Sequence, residues 1–398
     1  MIHAHTVICG AGILGLTLAR ELLRRGDTDI LILEKERAPG AHASGRNSGV
    51  LHAGIYYAPG SARAATCRHG GALMREYCLE NGLPLKENGK VIVAASPEQL
   101  PALDSLHKRA TANGAKVRLI DEAELAGIEP HARTVDRAIH SPTTAVVNPQ
   151  AILNRLTDEL TTSGKVRILY GVRVTGTGQP GTVATTDGPV GFGRLVNTLG
   201  AHADTLAHVF GVGKQYQLIP FKGAYKRLAP DADVQVRGSI YPVPDPRNPF
   251  LGVHFTRGVS GAVYVGPTAA PAFGRENYSG ITGTGPETLR ILYRDAILFC
   301  TNDAFRTVAV EETKKYAFSH FFREARRLVR GLRPRDIQPS PKVGIRPQLV
   351  HIPTGELVTD FLVETAGNTT HILNAISPAF TSSMAFAQTV ADTAIPDV

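Results

Sequence analysis

A strand-like run, Thr6-Val7-Ile8-Cys9, enters Gly10-Ala11-Gly12-Ile13-Leu14-Gly15, and an acidic residue, Glu34, closes the next apolar run, Ile30 to Leu33. This is the spacing of a dinucleotide-binding βαβ unit. Its glycines have separate tasks: Gly10 makes the tight turn, Gly12 lets the backbone approach a pyrophosphate, and Gly15 lets the helix pack close on the strand. The helix from Ile13 to about Arg25 aims unpaired N–H groups and the positive end of its dipole at the phosphates. Glu34 stands where an acid accepts a hydrogen bond from the adenosine ribose, and a 2′-phosphate there would meet like charge. NAD or FAD is therefore expected over NADP.

Because the fingerprint lies within the first ten to fifteen residues, no secretory leader is expected. No run of about eighteen apolar residues marks a membrane span. Cys9, Cys67, Cys78 and Cys300 show no CxxC or metal-type clustering and read as reduced thiols, so no metal is expected and a cytoplasmic setting is. The net charge of +8 suits an anionic substrate, an anionic membrane surface or nucleic acid. Much of the excess lies in segment 323–335, where Arg323, Arg326, Arg327, Arg330, Arg333 and Arg335 interleave with Leu328, Val329 and Leu332. A solvated basic helix face is the plain reading, and peripheral contact with the inner face of a membrane is the sharper one. No nucleic-acid partner is expected, because no recognised nucleic-acid module accompanies the patch.

The remaining pattern is α/β without repeats. Helices are expected over 62–81, 96–114 and 150–162, and strands over 89–95, 166–169 and up to Asn197, whose turn through Gly200 returns beside the adenine. The last sixty residues go back to strand, turn and helix, through His371 to Ala375 and Phe380 to Asp392. Two interleaved domains fit this order better than two sequential ones.

The densest chemistry lies in Gly45-Arg46-Asn47-Ser48-Gly49-Val50-Leu51-His52-Ala53-Gly54-Ile55-Tyr56-Tyr57. With the amino-terminal fingerprint, this segment resembles the D-amino-acid-oxidase-like superfamily of FAD-dependent oxidoreductases, and within it the L-2-hydroxyglutarate oxidases and dehydrogenases. Further blocks follow in the expected order: Pro220-Phe221-Lys222-Gly223-Ala224-Tyr225, Tyr241 to Pro246, Phe250 to Arg257, Gly344-Ile345-Arg346-Pro347-Gln348 and Ser377-Pro378-Ala379-Phe380-Thr381-Ser382-Ser383. Asn148, Ala224, Phe380 and Phe386 depart from the family pattern, and they bear on substrate size or electron acceptor rather than on the flavin. The resemblance implies an α/β protein in which a Rossmann-like FAD-binding domain (1–88, 145–215 and 336–398) interleaves with a mixed-sheet α+β substrate domain (89–144 and 216–335). It implies FAD as cofactor, held by Gly10, Gly12, Ile13, Leu14, Gly15, Glu34, Lys35, Arg46, Asn47, Ser48, Gly49, His52, Val172, Gly200, Arg346, Ser377, Pro378, Ala379, Thr381 and Ser382. The implied substrate is a small 2-hydroxy acid, with oxygen or a quinone taking the electrons. An amino-acid or amine oxidase of the same superfamily is the alternative, and a flavin-binding association protein without turnover is a third reading.

Oxidation of a 2-hydroxy acid needs a base for the hydroxyl proton, and an imidazole is the natural one near neutral pH. His254 and His52 are the two candidates, and each has a structural alternative, as a satisfied strand residue or a flavin contact. A dicarboxylate also needs cations, for which the arginine fork is suited. Arg346 is the first choice for the C1 carboxylate, as the resemblance implies. Lys222 and Arg257 are candidates for the distal carboxylate, with Tyr225, Tyr241 and Tyr57 as hydroxyl donors; a surface ion pair is the competing reading of Arg257. The helix beginning near Ser377 can offer N–H groups to negative charge on a reduced flavin.

Overall fold

A computed structural model of the chain describes residues 1–245 and 251–395. The strand Ile2–Cys9 pairs in parallel with Ile30–Glu34 on one side and with Val190–Asn197 on the other. Val166–Tyr170 extends the parallel arrangement beyond Ile30–Glu34, and Thr369–Asn374 beyond Val190–Asn197. Ile30, Leu31, Ile32 and Leu33 are all buried, as parallel strands covered on both faces require. Helices Ile13–Arg24, Pro149–Thr162 and Ala379–Ala394 contribute to one core with Ile8, Ile32 and Val196. The Asn148 side chain caps the second of these helices, accepting from the N–H groups of Gln150 at 3.1 Å and Ala151 at 3.3 Å. Asparagine thus does here the capping that aspartate also does.

The second sheet is mixed. The long strand Tyr216–Leu228 runs antiparallel to Ile337–His351, and beside it follow Val263–Gly266, His254–Arg257, Ser239–Pro242, Lys90–Val93, Arg137–Ser141 and Arg118–Asp121. Strand Ile337–His351 therefore belongs to this sheet, whereas the expected boundary put everything after 336 with the dinucleotide fold. The reason is pairing: Phe221 lies opposite Arg346 and Gly223 opposite Gly344, so the two motif blocks are neighbours in one ladder. Helix Phe318–Leu328 covers the back of the sheet with Phe321, Ala325 and Leu328, which join Phe255 and Val265 in a core. Gly70 in helix Ala62–Glu80 fixes how that helix meets the carboxy-terminal one. A Cβ there would lie 2.7 Å from the Ser382 Cα, so only glycine allows this approach.

Candidate active site

Three cavities join end to end along the seam between the sheets. Gly10 has φ of +109°, the left-handed region, and a Cβ on Gly15 would come within 2.0 Å of the Gly10 carbonyl oxygen. Glycine is therefore required at both positions for the turn and for the close helix. Helix Ile13–Arg24 starts at Gly12 with no side-chain cap, although Ser44 Oγ accepts from the Ile13 N–H at 2.9 Å. Glu34 accepts from the Ala11 N–H at 2.8 Å and the Glu36 N–H at 2.9 Å, so it ties the glycine turn to the second strand. It also lines a cavity of 270 Å³ with Lys35, Val172, Gly200 and Tyr278, suited to an adenosine. Around that cavity the Lys35 ammonium lies 2.8 Å from Glu276 and 2.7 Å from His42 Nε2. His202 and Lys35 hold the Glu276 carboxyl well below the usual range. Glu36, His42 and Glu276 cluster tightly, but the lysine already supplies the cation among them.

The middle cavity, of 230 Å³, shares Gly12, Ser44, Thr198 and Gly200 with the first and Ser48, His52, Tyr225, Arg346 and Ser377 with the third. Arg46, Asn47, Pro378, Ala379 and Thr381 also line it, as do Ile13 and Leu14. Arg46 is fixed by a bond to the Ala41 carbonyl at 2.6 Å and by stacking 4.1 Å over the Tyr278 ring. Gly49, with φ of +75°, turns the chain against the Val147 carbonyl rather than facing the cavity. Thr381 Oγ accepts from the His52 N–H at 3.2 Å, joining the motif loop to helix Ala379–Ala394, which has no side-chain cap. His52 Nδ1 is buried there with no hydrogen-bond partner among the described residues. A glycine cradle at one uncapped helix, a slender cleft, a second uncapped helix and an orphaned imidazole nitrogen together fit an extended dinucleotide whose ring ends beside His52.

The third cavity, of about 480 Å³, contains His52, Tyr56, Tyr57, Arg63, Tyr225, Tyr241, His254 and Arg346. His254 is buried, stacks on Tyr241 with ring centroids 3.8 Å apart, and places Nδ1 3.0 Å from the Gly252 carbonyl. A carbonyl accepts only from N–H, so the proton is assigned to Nδ1 and Nε2 carries the lone pair. Burial pushes this imidazole down to about 3, with Lys90 and Arg346 adding repulsion. His52 is likewise pushed well below its ordinary value, first by burial and then by Lys90. Both rings are neutral over a wider pH range than the near-neutral base expected from sequence.

Two sequence expectations change sides of a strand. Side chains alternate along strands, so Gly223 and Tyr225 line the cleft while Lys222 faces away and donates to Asn277 Oδ1 at 3.0 Å. Arg257 is three residues from His254 and projects to the opposite face, exposed, donating to the Val236 carbonyl at 3.3 Å. Ser382 is fully buried against helix Ala62–Glu80 at Gly70 and lines none of these cavities. Pro246 and Phe250, from two of the motif blocks, lie outside the described residues. Sequence reasoning missed Arg63 and Arg109, which line the outer cavity, and Lys90 behind it. Arg63 follows the Tyr56-Tyr57 motif closely, which was the available signal; Lys90 opens an apolar strand, and nothing local distinguishes it. The basic segment also differs from expectation as a membrane surface. Its apolar side chains are core, and Arg327, Arg330 and Arg333 pair with Glu324, Glu122 and Asp233.

A dinucleotide cradle opening through one cleft onto a buried histidine–arginine cavity defines a flavin-dependent oxidoreductase. The family model described as FAD dependent oxidoreductase matches residues 5–393, and the chain belongs to that family, with FAD as its cofactor. It is similar to the mitochondrial L-2-hydroxyglutarate dehydrogenase of Caenorhabditis elegans, at 34% identity over 98% of this chain and 92% of that one. Similarity to the L-2-hydroxyglutarate dehydrogenase of Escherichia coli K12 is 36%, over 95% of this chain and 90% of the relative. Among solved structures, the FAD-bound L-alpha-glycerophosphate oxidase of Mycoplasma pneumoniae superposes with a TM-score of 0.76 at 20% identity, covering 98% of this chain and 94% of that one. Glycine oxidase of Geobacillus kaustophilus gives 0.73 at 17% identity, over 100% and 96%. These two likenesses carry the fold.

Proposed function

We propose that the chain oxidises L-2-hydroxyglutarate to 2-oxoglutarate. The observation that carries this reading is similarity over nearly the whole length to dehydrogenases of that name, at 34–36% identity. The chemistry FAD supplies when bound is acceptance of the hydride from C2 of the substrate at its N5. The protein's own part is to hold the 2-hydroxy acid, take the hydroxyl proton and keep water out. His254 Nε2 takes that proton, because its ring is locked by Tyr241 and its Nδ1–H is committed to Gly252. Arg346, which lines both the flavin and the substrate cavities, binds the C1 carboxylate. Arg63 and Arg109 replace Lys222 and Arg257 as the cations within the cavity for the distal carboxylate, beside Tyr57. The test is anaerobic bleaching of the bound flavin. L-2-hydroxyglutarate is expected to bleach it and the D form to leave it yellow; bleaching by glycine or another amine with release of ammonia, and none by either hydroxyglutarate, would replace this reading.

The electrons leave to a membrane quinone rather than to oxygen. This is supported by an apolar stripe on helix Glu287–Thr301 left exposed among the described residues, where Leu289 is 75% and Tyr293 66% exposed, with Leu292 and Phe299 at helical spacing and the exposed Arg290 beside them. No helix among the described residues is long and apolar enough to cross a membrane, so contact is through a surface. The protein should sediment with vesicles of mixed phosphatidylcholine and phosphatidylglycerol and lose this when Leu289 and Leu292 become glutamate. No sedimentation of the parent protein with such vesicles would remove the docking reading.

A further inference from the structure

Lys90 begins the strand Lys90–Val93 and is 2% exposed, yet its Nζ has no hydrogen-bond partner and no ion pair among the described residues. Two aromatic rings flank it: Nζ lies 4.3 Å from the Tyr241 ring centroid and 5.3 Å from that of Tyr56. Those two rings stack on one another, and Tyr241 stacks in turn on His254. Lys90 thus stands one side chain behind the substrate cavity. A buried ammonium held only by ring faces lacks most of the compensation such a charge needs. The groups facing it do not supply an anion. On the motif loop these are Tyr56 and His52, on helix Ala62–Glu80 Cys67, and on the neighbouring strands Tyr241 and His254, while His140 pairs with Val91 and points to the other face. Burial pushes the Tyr56 and Tyr241 hydroxyls up and the Cys67 thiol up to about 12, so all three stay neutral.

We infer that Lys90 is a positioning residue that senses substrate charge: acting through the Tyr56–Tyr241–His254 stack, it makes the cavity favour a dianion over a monoanion and take up a proton as the dianion binds. The inference rests on the dicarboxylate reading above. Desolvation lowers the free ammonium to about 7, so near neutral pH a large share of Lys90 is unprotonated until an anion arrives. A bound dicarboxylate raises that value, which by linkage means proton uptake and binding that weakens as pH rises. Lys342, brought down to about 8 by burial, packs on Tyr225 and Tyr264 and is the other lysine near the cleft that titrates in this range.

The test uses the oxidised FAD-loaded protein and two unreactive ligands, glutarate as the dianion and pentanoate as its monoanionic match, read by the shift in flavin absorbance. Glutarate affinity should fall about ten-fold between pH 7.0 and 8.5, with proton uptake registered by an indicator dye in weak buffer. Pentanoate should bind weakly with a much shallower slope. Lys90→Met should flatten the glutarate slope and narrow the preference for glutarate, while Lys342→Met should keep both. The dye measurement on the parent protein can overturn the inference without any variant, and if Lys90→Met does not fold, Lys90→Arg, charged at every pH used, should likewise abolish the proton uptake while Lys342→Met keeps it. Glutarate binding that is flat with pH and takes up no proton overturns the role of Lys90 and leaves the substrate reading intact. No glutarate binding at all overturns both.

Discussion

The two ends of the cleft hold charge in opposite ways. Around the adenosine cavity, Lys35 sits among Glu36, His42 and Glu276, and Arg275 is bonded to Asp204 at 3.0 Å and paired with Glu287. At the substrate end, Lys90 Nζ and His52 Nδ1 have no hydrogen-bond partner among the described residues, and the Arg63 guanidinium donates to the carbonyls of Thr359 and Ser377, with the Asp360 carboxylate bonded to the Arg63 backbone N–H at 3.1 Å. The first end is finished without its ligand; its phosphate site is made of backbone at a helix start, which carries no whole charge. Carboxylates also line the second, at Asp245, Glu312 and Asp360, but the pocket around Lys90 is desolvated and aromatic, so compensation there has to come with the substrate. A site of this kind binds by charge and works by the lone pair it keeps, which is why the same surroundings depress His254.

The sharpest way to break this contrast is His254→Asn. Flavin reduction at saturating substrate should fall by roughly two to four orders of magnitude, the cost of losing a general base, with little change in substrate binding. Rapid-mixing traces separate the two quantities, and an unchanged limiting rate would pass the role to His52 or to no histidine. The sign of the pH dependence follows from the depressed imidazole: its base form persists as pH falls through the ordinary value, so the acid limb of kcat/KM should lie below about pH 5 rather than near 6.5.

Arg346→Lys comes next. It keeps the charge but loses the fork, so substrate binding should weaken by about 1.5–3 kcal/mol, read from the concentration dependence of bleaching. At the adenosine end, Glu34→Lys removes an acceptor for the Ala11 and Glu36 N–H groups and should weaken FAD by about 1–3 kcal/mol, measured by fluorescence of released flavin. Equal FAD retention would show that the turn holds without its tether. The smallest effect belongs to Arg257→Ala, whose side chain points away from the cavity. Substrate affinity should stay within about twofold, the range of ordinary surface changes. A large loss there would mean that strand parity misplaces the distal carboxylate.

Strand parity is also where sequence reading met its limit. Gly10, Gly12, Gly15 and Glu34 are legible because their work is done within one βαβ unit, by turn conformation, close packing and backbone N–H groups that any observer of the spacing can count. His254 and Arg346 stood out because they lie in motif blocks. Lys222 and Arg257 lie in the same blocks and were drawn in with them, yet a side chain two residues along keeps its face and one residue along changes it. A motif names a strand; the sheet decides which of its residues look into the cleft.

What the sequence by itself determined is the dinucleotide cradle, the family, FAD and the short run that carries His52, since each depends on residues close in the chain or on motif order along it. Only the tertiary structure decided that Ile337–His351 joins the second sheet, that Lys90, from a plain apolar strand, ends behind Tyr241, and that the basic helix spends its apolar face on the core. The physical reason is that backbone conformation is written locally, whereas burial and electrostatic company depend on which distant segments pack together. Lys90 and Lys222 are alike as letters; one is sealed among rings without a counter-charge among the described residues and the other bonds an asparagine outside the cleft.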